Sequence, residues 1–268
     1  MQRIIWWVIA IGGAGLFGLI LWNATRAPDL PPVVQPAPRA EAPPPPPMPA
    51  EPEIRHPVPE KKPEKPLPAL DTSDSTMQGA IAGLSADQGL GGALILQGFV
   101  RRVVATVDNL PRNKVATRIL PLKRVEGSFM VSGSEGSYTI APANAARYAA
   151  YLKLMDAVAT DKLVAFYFHY YPLFQQAYRE LGYPKGHFND RLVEVIDHLL
   201  ATPELKAPVA LVRPKVLYLY ADPELEARSA GQKILMRMGA ENAKRVKLRL
   251  REIRSRIATL PASATSGR

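Results

Sequence analysis

Residues 160–181 read TDKLVAFYFHYYPLFQQAYREL, and the spacing of their apolar side chains decides the fold. Leu163, Phe166, Tyr167, Tyr170, Tyr171, Phe174, Tyr178 and Leu181 recur at steps of three and four. A helix turns once every ~3.6 residues, so these positions share one wide face that needs other helices against it. Pro172 removes one backbone donor and predicts a kink, and Gly182 is placed as a C-terminal cap. Aromatic rings at helical spacing are core material first, because each buries a large area; stacking on sugar rings is the alternative use.

The chain continues GYPKGHFNDRLVEVIDHLL over 182–200. Residues 183–186 predict a turn, Asn189 or Asp190 a helix cap, and Phe188, Leu192, Val195, Ile196 and Leu199 a core face. Asp190, Glu194 and Asp197 then fall on the wet side, with Glu194 spaced to pair with Arg191 and His198. The density of acids and histidines raises the question of a metal or acid–base centre. His187 and His198 are eleven residues apart, about three turns, so this helix alone does not bring them to one ion. Acid–base catalysis needs two carboxyls at a defined separation, and nothing in the spacing sets one. The helix-face reading is preferred. His169, His187, Glu194, Asp197 and His198 remain surface or pocket candidates, and no catalytic residue, metal ligand or cofactor is expected. The chain has no Walker loop, no Gly-x-Ser-x-Gly and no His-Glu-x-x-His.

On the N-terminal side, 74–84 and 89–109 read as helices, 127–141 (GSFMVSGSEGSYTIA) as a small β-hairpin, and Pro142 opens a helical region with Tyr148, Tyr151, Leu152 and Met155. On the C-terminal side, Pro203 is a stop, Asp222-Pro223 a helix start, and Ser229 with Gln232 a capping box. Gly239 breaks the chain before a last helix over 240–258, with Ala243, Val246, Leu250, Ile253 and Ile257 inward. Lys244, Arg245, Lys247, Arg249, Arg251, Arg254 and Arg256 cover its other side. Such a basic face suits nucleic acid in the cytoplasm, or anionic lipid or an acidic wall polymer outside it; a solvated face is the commoner outcome. The fold class is therefore mainly α, one multi-helix domain over 71–258 with a small β-hairpin.

Residues 4–22, IIWWVIAIGGAGLFGLILW, carry no charge. As a helix they span roughly 28 Å, close to the ~30 Å hydrocarbon core of a bilayer. Trp6, Trp7 and Trp22 stand at the two ends, as an aromatic belt does. The run exceeds the ~7–15 residues of a signal-peptide core, and Pro28 would directly follow the only small-residue cleavage point, so an uncleaved anchor is expected. Seventeen of the chain's 27 prolines fall in 27–70, which predicts a disordered linker with polyproline II character. Residues 1–3 form a short head and 259–268 a disordered tail. With no cysteine, disulfides, thiolate metal sites and a lipidated cysteine are excluded. The formal net charge of +10 lies almost wholly beyond residue 70, since 1–70 hold seven basic and six acidic residues.

Three stretches resemble a known bacterial family: VVATVDNLPR (103–112), YPLFQQAYRELGYPKGHFNDRLVEVIDHLLATPE (171–204) and VRPKVLYLYADPELEARSAGQKILMRMGAENAKRVKLRLREIR (212–254). Together they are similar to the domain-of-unknown-function family numbered 3014. The resemblance implies a bacterial envelope protein and implies no chemistry. Some members look like lipoproteins; this chain has no cysteine to lipidate, so the apolar run must anchor it.

The expected arrangement is a short cytoplasmic head, a single pass through the inner membrane, and a binding or scaffolding domain in the periplasm. Expected partners are the bilayer through 4–22, and then another envelope protein, anionic lipid or cell-wall polymer. The alternatives are an enzyme on an envelope polymer, using the aromatic face with Glu194, Asp197 or His198, and a cytoplasm-facing nucleic-acid binder using the last helix.

Overall fold

The computed structural model describes residues 53–59, 66–85 and 89–258, and among these helices are the main regular structure. They run α1 (Asp74–Ala82), α2 (Gly89–Ala93) and α3 (Phe99–Asn109), then strands β1 (Val131–Ser132) and β2 (Thr139–Ile140). A 3-10 segment, Pro142–Tyr148, leads into α4 (Ala149–Ala157), followed by α5 (Thr160–Glu180) and α6 (Phe188–Leu200). Strands β3 (Leu211–Val212) and β4 (Leu219–Tyr220) precede α7 (Pro223–Glu226), α8 (Ala230–Arg237) and α9 (Ala240–Ile257).

The aromatic stretch folds as one uninterrupted helix that runs through Pro172. Its rings are core. Phe174 stacks on Phe188 at 6.0 Å and Tyr178 on Tyr183 at 4.6 Å. The hydroxyls find internal acceptors: Tyr167 donates to Asn189 Oδ1 (3.1 Å) and Tyr171 to Gln175 Oε1 (2.8 Å). Phe99, Val100 and Val104 of α3 and Met77 and Ile81 of α1 close over this face.

Helix α6 lies at the centre and is buried on two sides. Val193 and Ile196 pack with Val164 and Ile257, while Val195 and Leu199 pack with Leu235 and Met238. A one-sided amphipathic reading therefore misplaces residues. Val193 is buried, and Asp190, expected toward water, is buried as well.

The segment 89–109 is two helices and not one. Gly98 takes φ 63°, a left-handed conformation that its lack of a Cβ permits, and its N–H donates to Asp74 Oδ2 (2.8 Å). Between the helices, Leu94 pairs with Leu122 as an antiparallel bridge, held by Ile95 N to Pro121 O (2.7 Å) and Lys123 N to Ala93 O (2.9 Å). A tertiary bridge has taken apolar residues that a helical pattern also accommodates.

The hairpin over 127–141 is present, with Val131 opposite Ile140. A second antiparallel pair, β3 with β4, was not expected; an isolated bridge from Thr139 to Ala210 joins the two. Leu211, Tyr220 and Met236 bury the resulting patch.

The expected linker runs through residue 70, but its C-terminal part lies on the domain. Leu70 is buried and Leu67 packs beside it. Residues 53–59 form a strap: Asp190 accepts from the backbone N–H of Arg55 (3.1 Å) and His56 (2.7 Å). The head at 1–3, the apolar run at 4–22 with Trp6, Trp7 and Trp22, most of the proline-rich stretch and the tail at 259–268 lie outside the described residues. Among the described residues no helix is long and apolar enough to cross a membrane.

Candidate functional site

The acids and histidines of α6 do not converge. Glu194 pairs with Arg191 at 2.8 Å, and Arg55 of the strap reaches it at 4.0 Å. Asp197 accepts from Nε and Nη2 of Arg254. His198 Nε2 meets Ser229 Oγ at 2.8 Å. Ser229 is itself buried and caps α8 by accepting from Gln232 N (3.2 Å). The Gln232 side chain donates to His198 O and not back to the cap, so the expected capping box is only half formed. Burial, then the Arg191 charge, lowers the His198 pKa, which keeps the ring neutral and able to accept from the serine. Among the described residues no carboxylate binds the other ring nitrogen, so the pair lacks the third group that orients a nucleophile's base.

His187 occupies the N-cap position of α6 without a side-chain capping bond, which displaces the expected Asn189 or Asp190 cap. His169 stands on the exposed side of α5, edge-on to Tyr170 at 4.6 Å. Among the described residues no group of three His, Cys, Asp or Glu could hold a metal ion.

Asn189 and Asp190 serve as a junction. The Asn189 amide donates to His56 O and to Ile257 O, both at 2.9 Å, and accepts from Tyr167. The strap, α5 and the end of α9 are tied at one side chain.

Asp108 is the residue that the sequence reading missed. It is 1% exposed at the end of α3. Its carboxylate accepts from Arg112 (2.7 Å), Arg191 (3.1 Å) and the Tyr183 hydroxyl (3.2 Å). Arg191 thus bridges Asp108 and Glu194. A buried carboxylate needs such partners, because desolvating it alone is prohibitive. The only available signal was an acid at a position that helical spacing turns toward the core.

The basic side of α9 is largely turned to partners of its own. Lys247 is 5% exposed and donates to Thr202 O just past the end of α6, so it leaves the expected surface. Arg245 pairs with Asp156, Arg254 with Asp197 and Arg256 with Asp161. Arg249 donates to Met155 O and Thr160 Oγ1. Lys244 and Arg251 make no ion pair among the described residues. A phosphate-tracking surface needs free cations, and this helix has given most of its own to the fold.

An apolar concave feature lies elsewhere. A cavity of about 390 Å³ opens between α1, α3, α4, α5 and α9. Ile81, Phe99, Leu154, Met155, Phe166 and Ile253 are among its walls, and Leu122 stands at the rim, 41% exposed. Among the described residues Arg249 is the only charged one lining it, and its guanidinium is held by Met155 and Thr160. Next to it, a second hollow is lined, among the described residues, by Lys123, Arg124, Arg147, Lys153 and one acid, Glu126. The two share Ala93, Tyr151 and Leu154. Burial, then the Glu126 charge, raises the Tyr151 phenol above its ordinary pKa, and it donates to Lys123 O (2.8 Å) across their boundary.

No curated protein and no solved structure matches the chain. A family model described as a protein of unknown function, DUF3014, matches residues 99–254. The matched span takes in both the Asp108–Arg191–Tyr183 cluster and the His198–Ser229 pair. It covers more than half of the 268 residues, and with it the helices from α3 almost to the end of α9, so the chain belongs to the DUF3014 family.

Proposed function

We propose that this is a single-pass inner-membrane protein that presents a helical binding or scaffolding domain in the periplasm. The anchoring part rests on the uncharged run at 4–22, with tryptophan near both of its ends, and on the proline-rich stretch that separates it from the domain. The binding part rests on one observation, the half-open apolar cavity of about 390 Å³. That volume is within the ~300–1,000 Å³ typical of small-ligand pockets, and its lining has the expected apolar character. An enzyme built on Glu194, Asp197 or His198 would need those groups to face a substrate together, and each is engaged by a different partner.

A reporter enzyme that is active only outside the cytoplasm, fused to the C-terminus, tests the placement. High activity is expected. An inactive fusion, with full activity from a cytoplasm-dependent reporter at the same position, would reverse the orientation and reopen the nucleic-acid reading.

A further inference from the structure

We propose that the apolar cavity and the cationic hollow beside it form one site for a phospholipid with a single acyl chain and a net negative headgroup. The inference rests on the reading of this domain as a binding domain and names the ligand class.

The local sequence explains why the two halves adjoin. Residues 121–123 pair in extended form with 93–95. Successive side chains of an extended segment point to opposite sides. Leu122 therefore lines the apolar cavity while Lys123 lines the cationic hollow. Helix α4 does the same with helical spacing. Met155 and Val158 turn to the cavity, Ala150 and Lys153 to the hollow, and Tyr151 and Leu154 border both. An amphiphile fits such a boundary, with its chain on one side and its head on the other.

Size and charge choose among amphiphiles. About 390 Å³ is near the small end of the pocket range, which suits one acyl chain rather than two. Among the described residues the hollow is lined by Lys123, Arg124, Arg147 and Lys153, with Glu126 as the single acid, and the exposed pair Lys123 and Arg124 carries the argument for a headgroup. Arg147 is committed to the floor, donating to Glu126 O, Gly127 O and Asn144 Oδ1. Lys123 and Arg124 are exposed, and Arg124 spends one branch on Thr117 Oγ1 (3.1 Å). Several cations around one head call for a phosphate, whose oxygens accept many charge-assisted bonds, more than for a carboxylate.

The test uses the full chain in isolated membranes and three photoreactive probes with the same diazirine-bearing chain: lysophosphatidylglycerol, lysophosphatidylcholine and the free fatty acid. Crosslinked peptides are mapped by mass spectrometry. The expected result is labelling of peptides that carry Leu154, Met155 and Phe166, strongest with lysophosphatidylglycerol. The exposed double substitution Lys123→Glu with Arg124→Glu should lower that yield on the order of tenfold and leave the zwitterionic probe unchanged. Equal cavity labelling by the phosphatidylglycerol and phosphatidylcholine probes overturns the anionic headgroup and leaves a binding domain for apolar ligands. Stronger labelling by the fatty acid overturns the phosphate. Labelling that omits the cavity with every probe overturns both the inference and the binding reading.

Discussion

Asp108 shows how one side chain can hold several elements. Its carboxylate joins α3 to Arg191 on α6 and to Tyr183 in the turn before it. Replacing Asp108 by Asn leaves the shape and removes the charge that neutralises Arg191. The expected loss is about 3 kcal/mol, the low end for breaking a buried pair, because Arg112 is 57% exposed and regains water. Chemical denaturation of the two proteins measures it, and a change below about 0.5 kcal/mol contradicts the role. His198 gives a pH signature. Its folded-state pKa is lowered from the ordinary value of about 6.5 by burial and by Arg191. The unfolded chain therefore binds this proton more readily, so stability falls as pH drops through the ordinary imidazole range towards the depressed folded value. Stability curves between pH 7.5 and 5 should show this slope, and His198→Gln should flatten it. Of these two residues, the sequence displayed His198 as a candidate and hid Asp108, because two of its three side-chain partners, Tyr183 and Arg191, lie 75 and 83 positions away.

Among the elements, α5 and α9 were legible because a long helix repeats its signal over many turns. Thr160–Glu180 and Ala240–Ile257 fall where the spacing puts them. The 89–109 segment was not legible in the same way. Leu94 and Leu96 fit a broad helical face, and the bridge to Leu122, flanked by bonds to Pro121 and Lys123 that are distant in sequence, takes the segment out of the helix. The strap at 53–59 was hidden for a related reason: proline-rich composition describes a chain without partners, and the Asn189–Asp190 junction supplies them. Asp190→Ala should therefore release the strap without opening the domain. Hydrogen exchange is expected to show lost protection at the Arg55 and His56 amides and unchanged protection in α3. Loss in both would mean that Asp190 supports the whole core and not the strap alone.

For the whole molecule, the mainly helical class and the family followed from periodicity and from three motif stretches. The cavity did not, because its walls are spread over α1, α3, α4, α5 and α9, with Ile81 alone from α1 and Phe99 alone from α3, and none carries a pocket signature of its own. The basic C-terminal helix points to a general lesson about charge. Its excess over 240–268, eight Lys/Arg against two Glu, invites a polyanion, yet Asp156, Asp161 and Asp197 on other helices answer much of it. The account depends most on where this domain is held. The absence of cysteine makes a direct measurement available: Glu135→Cys, in the exposed turn of the first hairpin, gives the chain a single thiol. A maleimide that cannot cross the inner membrane is applied to cells with a permeabilised outer membrane. The account predicts full labelling before the inner membrane is broken, on protein that stays with the membrane through alkaline extraction. Labelling only after lysis, or a labelled protein released into the soluble fraction, would contradict it.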